Sequence, residues 1–146
     1  MKKITLTNRA LSNIIAVFSD PNGFRFNKEI KTRMAVRQSL KSIIQTIGNA
    51  WNIALETWNE IIMEVQNDFI EAGKAERTEE NFVVKPEFIN EFNRILTEKD
   101  KEFSDITVEI ETQTIPEKTY LLYAEDNDGK FSDMELDVLE LFVESE

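Results

Sequence analysis

The stretch NKEIKTRMAVRQSLKSIIQTIGNAWNIALETWNEIIMEVQNDFIEAG, residues 27–73, decides the fold, because it runs without a proline from a capping asparagine to a terminating glycine. Asn27 is a good N-cap, and Gly73 supplies the C′ residue that ends a helix at Ala72. Between them Ile30, Met34, Leu40, Ile44, Ile47, Trp51, Ala54, Trp58, Ile61, Val65 and Phe69 recur mostly at steps of three and four, which places them on one stripe. Ile43, Leu55 and Ile62 widen that stripe beyond a two-helix seam, towards a face buried in a core. Gly48-Asn49 is the weak point, since Gly costs about 1 kcal/mol relative to Ala in a helix interior. The apolar phase nevertheless passes through it unbroken, so the pattern predicts one long amphipathic helix over 27–72 and not a helical hairpin.

Working outward, Ile4-Thr5-Leu6 alternates as a short strand does, and Thr7 or Asn8 can cap a helix to about Phe18 with Leu11, Ile14, Ile15 and Phe18 on one side. Ser19-Asp20-Pro21-Asn22-Gly23 then reverses the chain. Lys74 to Asn81 is charged and aperiodic, a loop. Phe82-Val83-Val84 is extended before Pro86, which opens a helix carrying Phe88, Ile89, Phe92, Ile95 and Leu96. Thr97 to Lys101 is a charged connection into the strict alternation of Asp105 to Glu111, the best strand signal in the chain. Tyr120-Leu121-Leu122-Tyr123 is placed beside it as a hairpin partner, and Ser132 to about Glu144 as a last helix with Val138, Leu139 and Phe142 inward. The expected fold is α+β and helix-dominated, a single domain over 1–146. One long amphipathic helix is packed by shorter helices with a small antiparallel β element, and 98–146 form an acidic α/β C-terminal part.

Composition bounds the function. The 146 residues are 41% hydrophobic with ten Phe and two Trp, enough for a core, and only three Pro and four Gly. With no Cys and no His there is no disulfide, thiolate, sulfur metal site or imidazole base, and a reducing compartment fits. The start, with Lys2 and Lys3 but no apolar run after them, is unlike a signal peptide, and no segment reaches the roughly 18 apolar residues of a membrane span. The expectation is a cytoplasmic protein. Its net charge of -11 is unevenly distributed: residues 2–41 hold nine Lys/Arg against Asp20 and Glu29, whereas 98–146 hold sixteen Asp/Glu against four Lys. Such bipolarity suits self-association or a strongly charged partner.

The sharpest motif is Ala124 to Glu135, which overlays a twelve-residue calcium loop with Asp126 and Asp128 at positions 3 and 5, Gly129 at the turn and Glu135 at the bidentate position. Ala124 lacks the first ligand. Asp128-Gly129 as a turn and Ser132-x-x-Glu135 as a capping box explain the same residues, so calcium at Asp126, Asp128 and Glu135 is the minority reading. Glu56, Glu60 and Glu64 lie at i, i+4, i+8 but lack the His of a carboxylate metal cluster, and are expected to be a solvated stripe. Glu29-x-Lys31 after Asp20 only faintly matches a nuclease pattern. No elbow or phosphate loop is present, and no cofactor is expected. Two faces remain for a partner: a basic ridge of Lys28, Arg33, Arg37 and Lys41, and an acidic face of Glu125, Asp126, Asp128, Asp133, Asp137 and Glu140. No aromatic platform is interleaved with the ridge, so direct nucleic-acid binding is disfavoured. Trp51 and Trp58 are expected in the core.

The order of parts resembles a domain-of-unknown-function family of small tailed-phage proteins. The resemblance is carried by the opening strand Lys3 to Asn8, the helix containing Leu11-Ser12-Asn13-Ile14-Ile15, and the Arg-bearing entry Lys31 to Arg37. Pro86 to Phe92, the alternation from Ile106 to Ile110, and the closing helix with Leu136, Leu139 and Phe142 continue it. It covers nearly the whole chain in layout, without an invariant signature, and implies a phage origin and an accessory role in the host cytoplasm, with no activity to carry over. The leading expectation is a non-catalytic binding module that inhibits a host or bacterial defence protein, of anti-CRISPR or other anti-defence type. A virion or assembly component is the alternative, and a carboxylate- and metal-dependent hydrolase or nuclease the third.

Overall fold

The computed structural model describes residues 1–145. In chain order these form β1 (Lys2–Thr7), α1 (Asn8–Ser19), α2 (Met34–Glu71), β2 (Ala75–Arg77), β3 (Phe82–Val84), a 3-10 turn (Pro86–Phe88), α3 (Ile89–Asp105), β4 (Thr107–Thr112), β5 (Ile115–Pro116), α4 (Glu117–Asp126), α5 (Asp133–Glu140) and β6 (Val143–Glu144). The fold is α+β and helix-dominated, with one long helix and two-stranded sheets. It divides into two compact units: unit 1 comprises residues 1–51 and 107–146, and unit 2 residues 52–106.

In unit 1 the alternation of β1 and β4 sets their register. They pair antiparallel with Ile4 opposite Ile110 and Leu6 opposite Val108 on one face, while Lys3 and Glu109 bridge at 3.9 Å on the other. Thr7 caps α1 by accepting from the Ala10 N–H at 3.1 Å. Leu11, Ile14 and Phe18 of α1, Val36, Ile43 and Ile47 of α2, and Leu139 and Phe142 at the C-terminal end are all buried. Removing each such side chain from water contributes about 1.5–3 kcal/mol. The Phe18 and Phe142 rings lie 6.4 Å apart.

Three expectations in this unit are corrected. The long helix begins at Met34 and not at Asn27. A helix through 27–33 would send the Lys31 N–H to the Asn27 carbonyl, but that N–H donates to Asn127 Oδ1 at 2.6 Å, and Asn27 Oδ1 instead closes a turn with the Glu29 N–H at 2.9 Å. Ile30 is buried from this irregular segment, and Met34 is 75% exposed. Tyr120 to Tyr123 are not a strand; they lie in α4, entered from Pro116 at the N-cap with Glu117 in the first turn. Helical spacing puts Tyr120 and Tyr123 together on the buried side and leaves Leu121 and Leu122 exposed, whereas a strand would split the tyrosines between two faces. Finally α5 stops at Glu140, because Val143–Glu144 pair in parallel with Ile115–Pro116 and the Ile115 N–H donates to the Phe142 carbonyl at 2.8 Å.

Unit 2 is built from the later part of α2, the β2–β3 hairpin and α3. Gly73 takes φ 74° as the C′ residue of α2, with the Lys74 N–H donating to the Phe69 carbonyl at 2.9 Å and the Gly73 N–H to the Ile70 carbonyl at 3.0 Å. That closure turns the chain into β2, which pairs antiparallel with β3, so part of the expected 74–81 loop is strand. The expected break at 97–101 is helix as well: α3 runs to Asp105, and its stripe resumes at Phe103, buried and 5.3 Å from the Trp58 ring. A continuous polar turn had hidden one more apolar anchor.

Gly48 lies inside α2 without breaking it, and a Cβ added there meets nothing within 4 Å. Gly48→Ala is therefore expected to stabilise the protein by about 1 kcal/mol, read as a higher urea midpoint at unchanged slope.

Candidate functional site

The Ala124–Glu135 segment is a clasp. α4 ends at Asp126, Asn127 is buried beneath it, and Gly129 turns the chain at φ 76°. Ser132 caps α5 in a full capping box: its hydroxyl accepts from the Glu135 N–H at 3.2 Å, and Glu135 Oε1 accepts from the Ser132 N–H at 3.1 Å. The other oxygen, Oε2, accepts the Phe24 N–H at 2.7 Å. Asp126 Oδ2 meets Arg33 at 2.9 Å. Two of the three proposed calcium ligands are thus engaged in holding residues 24–33 against α4 and α5, and among the described residues no group of three acids is placed to hold a metal ion.

Asn127 is the centre of the clasp, and sequence reasoning passed over it between its two acidic neighbours. Its Nδ2 donates to the Lys31 carbonyl at 2.7 Å and the Tyr123 carbonyl at 2.9 Å, while its Oδ1 takes the Lys31 N–H. An amide side chain can satisfy a peptide group's donor and acceptor together, which neither flanking carboxylate can do.

The basic ridge is only partly on a helix. Arg37 and Lys41 stand one turn apart on α2, whereas Lys28 and Arg33 lie in the irregular segment before it. Arg33 pairs with Asp126, so the ridge and the acidic face touch. Lys28, Arg37 and Lys41 instead border a cleft of about 490 Å³, joined by Arg25, which the sequence reading had not selected. The lining also includes Phe24, Phe26, Ile30, Leu40 and Tyr123, and no Asp or Glu. Phe26 is half-exposed, with the Arg25 guanidinium 5.0 Å from its ring centre. The segment that failed to become helix therefore supplies an aromatic platform next to the cations.

The acidic face divides. Glu125, Asp126 and Asp128 surround the end of α4, while Asp133, Asp137 and Glu140 follow one stripe of α5, the last two beside β1. In unit 2 Glu56, Glu60 and Glu64 are exposed, and Trp58 is half-buried against Phe103, as is Trp51 in unit 1.

The two tyrosines of the chain are both perturbed. Burial pushes the Tyr120 phenol above its usual value of 10.0, and the Glu140 carboxylate, which accepts a hydrogen bond from it at 3.4 Å, and Asp137 add to the rise. Burial likewise raises Tyr123, helped by Glu135 and opposed by Thr32. The Thr32 hydroxyl lies close to the phenol, yet the Tyr123 hydroxyl meets no partner at hydrogen-bond geometry and is buried. Both phenols keep their protons in the fold at a pH where the unfolded chain has lost them. Stability from this source is fully present below about pH 10 and falls as pH rises through the folded values. An alkaline titration followed at 295 nm is expected to show tyrosinate appearing at higher pH in the folded protein than in the same chain unfolded in urea.

No protein-family model matches the sequence, and no curated protein or solved structure is similar to it.

Proposed function

We propose that the chain is a non-catalytic binding protein that works by protein–protein contact through unit 2. The observation that carries this reading is the state of the apolar seam of that unit. Its buried cluster is small, Val65, Phe69 and Ala75, while Phe82, Phe88, Phe92, Ile95 and Leu96 are only partly covered. Trp58, Ile61 and Ile62 are only partly buried too, and Leu55, on the helix face of Ile62, is 38% exposed. A seam left open along two helices is the kind of surface that partner proteins cover. Residues 52–106 carry fourteen Asp/Glu against six Lys/Arg, so the matching surface is apolar with a basic surround.

In this account the protein is an accessory factor of phage type that acts in the host cytoplasm by occupying a bacterial defence or host protein. The layout resemblance and the absence of His and Cys support that reading. The acidic stripe of α5 is a secondary contact. A second reading, a virion or assembly component, is favoured by the same seam if another copy of the chain covers it.

Affinity capture from a bacterial lysate tests the proposal when run with wild type and with Leu55→Glu/Ile89→Glu, two exposed positions whose change leaves the buried cluster intact. The proposal expects a protein retained by wild type and lost with the double variant. Identical retained sets contradict it. Light scattering after size exclusion separates the two readings, since a stable oligomer that the double variant dissociates supports assembly.

A further inference from the structure

We propose that the cleft of unit 1 binds a mononucleotide-sized ligand, an aromatic base carrying a phosphate. This site is separate from the seam of unit 2 and stands whether or not that seam binds a protein.

In a chain where 28 acids outnumber 17 bases, the cleft is bordered by Arg25, Lys28, Arg37 and Lys41 and by no carboxylate. The one guanidinium of this region that faces an acid, Arg33, lies outside the lining, and Lys28, Arg37 and Lys41 make no ion pair among the described residues. Uncompensated cations converging on a concavity focus positive potential where an anion would sit. Arg37 and Lys41 are on successive turns of α2, so both can reach one phosphate, Arg with its fork and Lys as a point charge.

The remaining lining defines the rest of the ligand. Phe24, Ile30 and Leu40 are buried and form an apolar floor, and the half-exposed Phe26 ring stands at the rim. A floor of this kind gives nothing to a bare inorganic ion but favours a planar aromatic body, which Phe26 can stack. Tyr123 also lines the cleft, is 1% exposed, and carries the one buried polar side-chain atom among the described residues that has no partner. A ligand acceptor would complete it. The volume of about 490 Å³ lies within the range of small-molecule sites, roughly 300–1,000 Å³.

The test is calorimetry on the full chain with AMP, GMP, CMP and UMP, with adenosine and inorganic phosphate as the two halves of the first, and with a ten-residue oligothymidylate. At least one mononucleotide is expected to bind about tenfold or more tightly than either half, through charge-assisted contacts worth roughly that factor each. Arg37→Gln and Lys41→Gln, at exposed positions, are each expected to weaken it about tenfold. Tyr123→Phe is expected to weaken it without lowering the melting temperature. The proposal is overturned if no mononucleotide gives heat at millimolar concentration, if phosphate alone binds as well, if the oligonucleotide binds more than tenfold tighter, or if affinity is unchanged in all three variants.

Discussion

Replacing Asn127 with alanine is expected to cost unit 1 about 3 kcal/mol, out of proportion to the size of the side chain. The change leaves the Lys31 N–H, the Lys31 carbonyl and the Tyr123 carbonyl without their partner, and Asn127 itself is 1% exposed. Each buried group so orphaned costs about 1–3 kcal/mol, with relaxation of the loop recovering part of the sum. The neighbouring Asp126→Asn is the control. It weakens one ion pair whose two side chains are 44% and 36% exposed, worth less than about 1 kcal/mol. Urea unfolding of both variants should rank them in that order, and amide exchange should show residues 24–33 released in the first and held in the second. Equal costs would mean that the clasp rests on the ion pair.

The second large effect lies in unit 2. Phe69 is 4% exposed and packs edge-on against Phe92 at 5.1 Å, and its ring is also faced by the Lys74 ammonium at 5.7 Å. Phe69→Ala is expected to cost about 3–5 kcal/mol, as large truncations of buried aromatics do. In a buried cluster of three residues that is a large share of the stability. Unit 2 should therefore lose amide protection in β2, β3 and α3, while β1, β4 and α5 keep theirs. Uniform loss throughout the chain would contradict the division into two units.

The long helix was legible because its cause is local. Spacing of three and four from Leu40 to Phe69 and Gly73 beyond the end require no partner to be read. Its start was not legible, because Asn27 is a good cap in isolation and the competing partner of Lys31 sits 96 residues away. The Ser132–Glu135 capping box was visible for the same local reason, but not the second duty of Glu135, which binds the Phe24 N–H from across the chain. Tyr120 to Tyr123 failed differently: four apolar residues fit either period, and only the burial of the first and last with exposure of the middle two distinguishes helix from strand.

The candidate sites follow the same division. Lys28, Arg37 and Lys41 were identifiable as a cluster of charge, but their convergence on a cleft depends on the loop that precedes α2, and so does the recruitment of Arg25 and Phe26. The open seam of unit 2 could not be read at all. A wide apolar stripe predicts burial, and here the single helix opposite it leaves Trp58, Ile61 and Ile62 part-exposed.

That unit 2 is a protein-binding surface is the central functional claim, and site-resolved photo-crosslinking tests it most directly. A photoreactive residue is placed at Leu55, on the seam, and in a separate protein at Gln38, exposed on the part of α2 that belongs to unit 1. After irradiation in bacterial cells, the account predicts a discrete heavier adduct from position 55 and none from position 38. Equal labelling from both positions, or no adduct from either, would contradict it.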